Sequence, residues 1–193
     1  TLTTTSPVIE QTVEGSRVGL DGFRSSAAPG QPDLPAKVFF IAVPPDVDWT
    51  TLALRGVQGQ AHALMLPAAV APATPDVVGA PGGAAAGYGA ARNMVNGRDM
   101  DIYSLVSVYP ASPVRLLPYG QMRKWRYAQV EFSPVQWNPA TSAAQFWPQV
   151  EVELEFERVA PAASAAPTSA DPLMTDHVMD AAASSMFLNY EEA

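Results

Sequence analysis

The alternation of apolar and polar residues near the end of the chain predicts β-strands. In QVEVELEFE, residues 149–157, every second residue is apolar, and the residues between them are almost all glutamates. YAQVEF, residues 127–132, shows the same period of two. Such a strand has one dry and one wet face, which is typical of antiparallel sheets. WNPATSA lies between the two segments and has the residues of a turn, so we expect these strands to form a hairpin.

Short runs rich in β-branched and aromatic residues predict further strands along most of the chain. KVFFIAV, residues 37–43, lies between prolines and is predicted to be a buried strand that Pro44 and Pro45 end. Similar runs occur at residues 8–15, 16–23, 49–54, 100–110, 113–120 and 123–137. Nineteen prolines and thirteen glycines favour many turns and few long helices. The predicted fold is all-β, an antiparallel β-sandwich of the jelly-roll-like kind.

Two segments depart from this strand pattern. Residues 67–99 are dominated by Ala, Gly and Pro and are predicted to be a long loop, a kind of segment that is usually functional. Residues 160–193 begin as a linker and continue as a helix whose first turn is set by Asp171 and Pro172. Its apolar face recurs at helical spacing at Met179, Ala183, Met186, Phe187 and Tyr190. We therefore predict a sandwich domain over residues 1–159, followed by a linker and a C-terminal helix.

Composition and charge exclude several classes of function. The 193 residues are 48% hydrophobic, which suits one folded domain. A net charge of −8 argues against nucleic-acid binding, because that affinity depends on neutralising phosphates. The absence of cysteine excludes disulfides and a cysteine nucleophile within this chain. No apolar run has the length of a membrane span, and the first residues do not read as a signal peptide.

Residues able to do chemistry are sparse, so we predict no catalytic residue, metal site or cofactor. His62 and His177 lack a nucleophile elbow and are expected to be structural or solvated. Asp99 and Asp101 do not continue into a calcium-loop pattern and are expected to be a solvated pair. GAPGGAAAGYG, residues 79–89, has no Gly-Lys-Ser/Thr ending and is interpreted as a flexible loop rather than a phosphate site.

A cluster of four basic residues contrasts with the acidic chain: Arg115, Arg123, Lys124 and Arg126. We expect these side chains to face the glutamate row of residues 151–157 across the predicted hairpin, where opposite charges stabilise a sheet. Binding of an external ligand is the alternative. Trp125, Trp137 and Trp147 leave open a carbohydrate-binding or adhesion module, and an assembly chaperone that exchanges strands is a third possibility.

Six motifs, taken in order, point to a known family. They are GQPDLP at 30–35, YPASPVRL at 109–116, GQMRKWR at 120–126, VEFSPVQWNP at 130–139, VEVELEF at 150–156 and FLNYEEA at 187–193. Together they resemble the N-terminal prodomain of gingipain-type, caspase-like bacterial cysteine peptidases. This resemblance spans nearly the whole chain.

The resemblance implies a secreted or cell-surface bacterial propeptide that keeps its own cysteine peptidase domain latent and assists its folding. The peptidase would follow this chain and would be its partner, with no nucleic acid or membrane involved. In the family, a loop of the prodomain enters the active-site cleft and places an arginine in the specificity pocket. The comparable segment here is residues 67–99, and the candidate residues are Arg92, Arg98 and Asn93. Arg92 is favoured, because the small residues before it let the backbone approach a cleft.

Overall fold

The computed structural model describes residues 1–74, 93–159 and 177–192. Within these ranges lie fourteen β-strands and two α-helices, followed by a 3-10 turn at Tyr190–Glu192. The strands are β1 Leu2–Thr3, β2 Val8–Thr12, β3 Gly15–Gly19, β4 Arg24–Ser25, β5 Pro35–Val43, β6 Ala53–Gly59, β7 His62–Leu64, β8 Met94–Val95, β9 Arg98–Asp99, β10 Val114–Met122, β11 Trp125–Phe132, β12 Val135–Trp137, β13 Ala144–Phe146 and β14 Gln149–Glu155. The helices are α1 Met100–Tyr103 and α2 His177–Met186.

The chain divides into two compact units. The first comprises Thr1–Lys37, Gly59–Pro113 and Ser133–Val150. It contains the sheet β12-β13-β7 and the hairpins β2-β3 and β8-β9. Its core gathers buried apolar side chains from these strands and the loops between them: Val18, Leu20, Leu34, Val70, Val135, Trp137 and Ala144.

The second unit comprises Val38–Gln58, Val114–Phe132 and Glu151–Ala193. The hairpin β10-β11 is continuous with β5 in the sheet order β10-β11-β5-β4. Two apolar clusters stabilise this unit. One forms around Val43, Val47 and Ala128, and the other forms around Ala42, Ala183 and Phe187.

The all-β class and the C-terminal helix are confirmed. β14 alternates between exposed and more buried residues as the sequence pattern requires. In α2 and the turn after it, Ala183 and Phe187 are buried, as the helical spacing predicts. Asp171 and Pro172, which were expected to begin the helix, lie outside the described residues. The jelly-roll-like sandwich stays a prediction.

Two predicted strands are wrong in position or type. The strand expected at residues 49–54 begins only at Ala53, because the Asp48 side chain accepts hydrogen bonds from the backbone and hydroxyl of Thr50 and holds a turn. The strand expected at residues 100–110 begins instead with α1, and Asp99 caps this helix by accepting from the backbone of Asp101. Asp99 is only 4% exposed, so the prediction of a solvated aspartate pair is also wrong.

The predicted hairpin has the right turn but the wrong strands. WNPATSA joins β12 to β13, which pair from Val135↔Phe146 to Trp137↔Ala144. β11 pairs instead with β10, and β14 lies between β1 and β6. The basic residues therefore do not face the glutamate row across a hairpin.

Three of those four basic side chains have different neighbours. Arg115 pairs with Glu131, Lys124 pairs with Asp180, and Arg126 lies over the ring of Trp49. Arg123 adopts a positive φ of 53° in the turn between β10 and β11. The glutamate row takes Arg55 as an ion-pair partner, which contacts Glu155. Local contacts within the second unit thus account for Arg115, Lys124 and Arg126.

Candidate functional site

The beginning of the predicted loop is part of the core of the first unit. Val70 and Ala71 are fully buried, and Ala73 is nearly so. The backbone of Ser16 donates to Ala69 O at 2.8 Å and accepts from Ala71 N at 2.9 Å. The Ser16 hydroxyl also donates to Ala68 O at 2.8 Å. Residues 67–74, the first stem, therefore follow a path that hydrogen bonds fix.

The end of the predicted loop is a short hairpin. β8 and β9 pair as Met94↔Asp99 and Val95↔Arg98. The two residues between them, Asn96 and Gly97, have φ angles of 50° and 76°. Asn-Gly at positive φ is the preferred chemistry of a two-residue hairpin turn, because the twist of that turn matches the twist of the strands. Residues 93–99 form the second stem.

Gly30, the first residue of the GQPDLP motif, joins the two stems. Its backbone N–H donates to Ala73 O in the first stem, and its carbonyl accepts from Asp99 N in the second; both bonds are 2.9 Å long. The rest of the motif continues along the first stem, since Gln31 O accepts from Ala73 N and Asp33 N donates to Ala71 O. The stems of the segment are thus held together through one motif.

Arg98 is held by its own unit. Its guanidinium donates to the carbonyl of Glu14 at 2.7 Å and lies 5.2 Å from the ring centre of Tyr103. Arg98 also lines a cleft of about 390 Å³, together with residues 13–14, 72–74 and 96–97. In this position the guanidinium braces the β8-β9 hairpin against the turn between β2 and β3.

Tyr103 supports the first stem. Its hydroxyl donates to Val70 O at 2.9 Å. Burial raises the pKa of Tyr103 above its ordinary value, and the nearby Arg98 guanidinium opposes that rise. The phenol therefore stays protonated and able to donate throughout the neutral range.

Within the described ranges, no three histidine, aspartate or glutamate side chains gather closely enough to hold a metal ion. None of the helices in these ranges is long and apolar enough to cross a membrane.

Comparison with protein families decides which family the chain represents. The model of the family Propeptide_C25 matches residues 8–193. The chain belongs to the Propeptide_C25 family. The resemblance to gingipain-type prodomains that the motifs indicated is thereby confirmed.

The solved structures that share the fold of this Propeptide_C25 chain include two from Porphyromonas gingivalis. One is a complex of the Porphyromonas gingivalis RgpB pro- and mature domains, which is 18% identical at a TM-score of 0.63 and covers 97% of this chain and 87% of the other. The second, from a study of the zymogenic latency of gingipain K from Porphyromonas gingivalis, is 17% identical at a TM-score of 0.52, covering 79% and 81%. No curated protein matches the chain.

The predicted inhibitory residues occupy different places in this Propeptide_C25 chain. Arg92 lies outside the described residues. Asn93 begins the second stem with an exposed side chain, and its carbonyl accepts from Met100 N at 2.8 Å. Arg98 makes the contacts with Glu14 and Tyr103 described above. Sequence reasoning missed Gly30 and Ser16, and the GQPDLP motif was the signal that could have indicated the first of them.

Trp137 cannot belong to the stacking platform that a carbohydrate-binding module would need. Trp137 is 1% exposed in the core of the first unit. In the same unit, the indole N–H of Trp147 donates to the Gln136 side chain at 2.7 Å. In the second unit, Trp125 packs against Phe187 and Tyr190. All three side chains are engaged in intramolecular contacts.

Proposed function

We propose that this chain is the latency-maintaining prodomain of a secreted or cell-surface, gingipain-like cysteine peptidase. In this proposal it is a non-catalytic part of the precursor and binds the peptidase domain that follows it. The segment between the two stems enters the active-site cleft, and the prodomain assists folding of the enzyme. Membership in Propeptide_C25 supports the general role, and the fold shared with the RgpB pro- and mature-domain complex supports a peptidase partner.

The observation that carries the inhibitory role is the junction at Gly30. A segment that blocks a cleft has to be presented by a rigid base, because ordering a loose loop on binding costs free energy. Gly30 bonds Ala73 and Asp99 and so fixes where the segment leaves and where it returns. The stems are thus organised before the enzyme is bound, so binding does not require the free energy of ordering them.

Covalent connection strengthens such an inhibitor. Two modules joined by a short flexible linker have an effective concentration on the order of millimolar. If the separated domains bound with micromolar affinity, that ratio would favour the closed state by about 4 kcal/mol. Cleavage of the connection removes this advantage, and dilution then releases active enzyme.

Arg92 is the preferred anchor for the specificity pocket. Arg98 would have to give up its bond to Glu14 O and its contact with Tyr103 before it could reach into another protein. An arginine in an acidic pocket makes charge-assisted hydrogen bonds worth about 1.5–3 kcal/mol. Arg92 can supply this free energy without disturbing the known contacts of the stems.

The test is Arg92→Ala in the isolated chain, assayed against the peptidase domain of the same precursor. We expect the inhibition constant to rise about 10- to 100-fold while the melting temperature stays unchanged. Arg98→Ala is the matched control and should lower the melting temperature, because it removes the brace to Glu14. Unchanged inhibition by Arg92→Ala would exclude Arg92 as the anchor, and a parallel loss of folding would assign it a structural role.

A further inference from the structure

Strand β5 has an edge that the C-terminal segment covers. β11 neighbours β5 on one side, whereas on the other side β4 pairs only with Ala36 and Pro35. Further along that side, Leu188 N donates to Phe40 O at 3.0 Å, and Phe187 forms a parallel bridge with Phe40. An open strand edge is a template for pairing with an extended peptide. Here the residues just after α2 take that place.

Asn189 completes the pairing with its side chain. The amide oxygen accepts from Ala42 N at 2.8 Å, and the amide nitrogen donates to Ala42 O at 3.0 Å. A primary amide offers both a donor and an acceptor, so it can satisfy both backbone groups of one strand residue. Truncation of Asn189 would therefore leave both backbone groups of Ala42 without these bonds.

Aromatic side chains of the second unit enclose the same segment. Phe187 is 5% exposed, and its ring centre lies 5.7 Å from that of Trp125 and 5.6 Å from that of Tyr127. Tyr190 lies 5.4 Å from Trp125. Ala183 is completely buried one helical turn before Phe187. Such apolar contacts resemble those of a helix-in-groove complex, in which residues at helical spacing act as anchors.

A polar contact fixes the position of α2. The Asp180 carboxylate accepts from the indole N–H of Trp125 at 3.1 Å and pairs with Lys124 Nζ at 2.8 Å. The Asp180 and Lys124 side chains are only 24% and 28% exposed, so water screens this pair less than it screens a pair on the open surface. Specific polar contacts at both ends of an apolar patch are a property of binding sites.

We propose that this surface, the β5 groove, is a peptide-binding site that retains residues 177–192 after the chain is cut between residues 160 and 176. The groove consists of the β5 edge at Phe40 and Ala42, with Lys124, Trp125 and Tyr127. Its ligand is an amphipathic helix followed by a Phe-x-Asn-Tyr turn, here supplied by the chain itself. The groove would thus bind through a single backbone bridge and the Asn189 amide at the β5 edge, and through helix anchors.

The consequence for activation rests on the proposed function. If a peptidase domain follows this chain, a cut between residues 160 and 176 leaves that domain attached to the prodomain through the β5 groove. Release then requires a second event, either dissociation from the groove or a cut beyond the retained segment. The prodomain accordingly has a non-covalent connection in addition to its covalent one.

The first experiment cuts the folded chain at one place. A recognition sequence for a site-specific protease is inserted between Ala165 and Ala166, the protein is cleaved, and the products are separated by size exclusion. The uncut chain provides a millimolar effective concentration of the C-terminal segment at the groove. After cleavage at about 10 µM protein, roughly a hundredfold lower, we still expect the two fragments to elute together. Separate elution of the C-terminal fragment would overturn the proposal. No peptidase is present, so this result is independent of the inhibition assay.

A second experiment assigns the retention to the groove. In the cleaved protein, Asn189→Ala should raise the dissociation constant of the fragment at least about tenfold, since two hydrogen bonds are lost. Leu188→Ala is the matched control, because the Leu188 side chain is 53% exposed and only its backbone pairs with β5; it should change the constant less than about twofold. Circular dichroism of both uncut variants verifies folding. Equal affinities for the two variants would refute the assignment.

Discussion

Gly30 has two properties that only glycine combines. Its φ of +86° lies in the left-handed region, which other residues adopt at a cost of about 1–2 kcal/mol. A Cβ at this position would also overlap the thioether end of Met94 in the second stem. The close approach of β8 and the bonds to both stems thus depend on the missing side chain.

Gly30→Ala should therefore destabilise the first unit more than Gly97→Ala does. Gly97 has a similar φ of +76°, but a Cβ there would meet no atom within 4 Å. We expect a loss of about 1 kcal/mol for Gly97→Ala and about 2–3 kcal/mol for Gly30→Ala, measured by urea unfolding. Equal losses would show that Met94 moves aside and that contact with the stem does not depend on glycine.

For single residues, the sequence indicated the chemical character of a side chain better than it indicated which residues it bonds to in the fold. The GQPDLP motif could be recognised from the sequence, but its bonds to Ala71, Ala73 and Asp99 join segments about 40 to 70 positions apart. Asp99 was predicted to be solvated because aspartate side chains are mostly exposed in folded proteins. Its burial follows from capping α1, a helix too short for periodicity to reveal.

Among the strands, the alternation of apolar and polar residues predicted which side of a strand is buried, but it did not predict which strands pair. The exposed and buried sides of β14 agree with its sequence, yet β14 lies between β1 and β6 and does not pair with β11. A period of two determines which side chains share a face, and many partner strands satisfy that requirement. The turn at WNPATSA was recognisable because Asn138 accepts from the backbone N–H groups of Ala140 and Thr141, which is local chemistry.

Two arginine–glutamate pairs differ in burial, and burial changes how much an ion pair contributes to stability. Arg115 and Glu131 are cross-strand partners in β10-β11, and Arg115 Nε and Nη2 lie 2.8 and 2.6 Å from one carboxylate oxygen. The Glu131 side chain is 8% exposed. Arg55 and Glu155 form a pair in which both side chains are more than half exposed. Removal of one partner is costly only where the remaining charge is buried.

Arg115→Met should accordingly lower the free energy of unfolding by about 1–3 kcal/mol. Arg55→Met, the matched change at the exposed pair, should lower it by less than about 1 kcal/mol. Both substitutions keep a long apolar stem, so the comparison isolates the charge. Denaturant unfolding of the two variants measures the difference, and a larger effect at Arg55 would contradict this account.

For the whole molecule, the all-β class and the family were predictable, and the organisation of residues 67–74 and 93–99 was not. The motifs occur in family order along nearly the whole chain, so no single strand assignment had to be right for the resemblance to hold. The junction of the stems depends on long-range pairing among Ser16, Gly30 and the residues around 70 and 99. No local pattern encodes such pairing, which is why residues 67–99 read as one uninterrupted loop.

We expect the two stems to stabilise the first unit and the segment between them to inhibit the peptidase. Residues 68–73 and 98–99 bond to the first unit, and those contacts do not require any particular sequence between residues 75 and 92. A replacement confined to that segment should therefore separate the two properties.

The most direct test replaces residues 75–92 with a Gly/Ser segment of equal length and measures inhibition of the cognate peptidase domain. The account predicts an unchanged melting temperature and an inhibition constant raised at least about 100-fold, because the proposed anchor Arg92 and the sequence before it are gone. Full inhibition by the replaced chain would contradict it, since latency would then arise from some other surface of the prodomain.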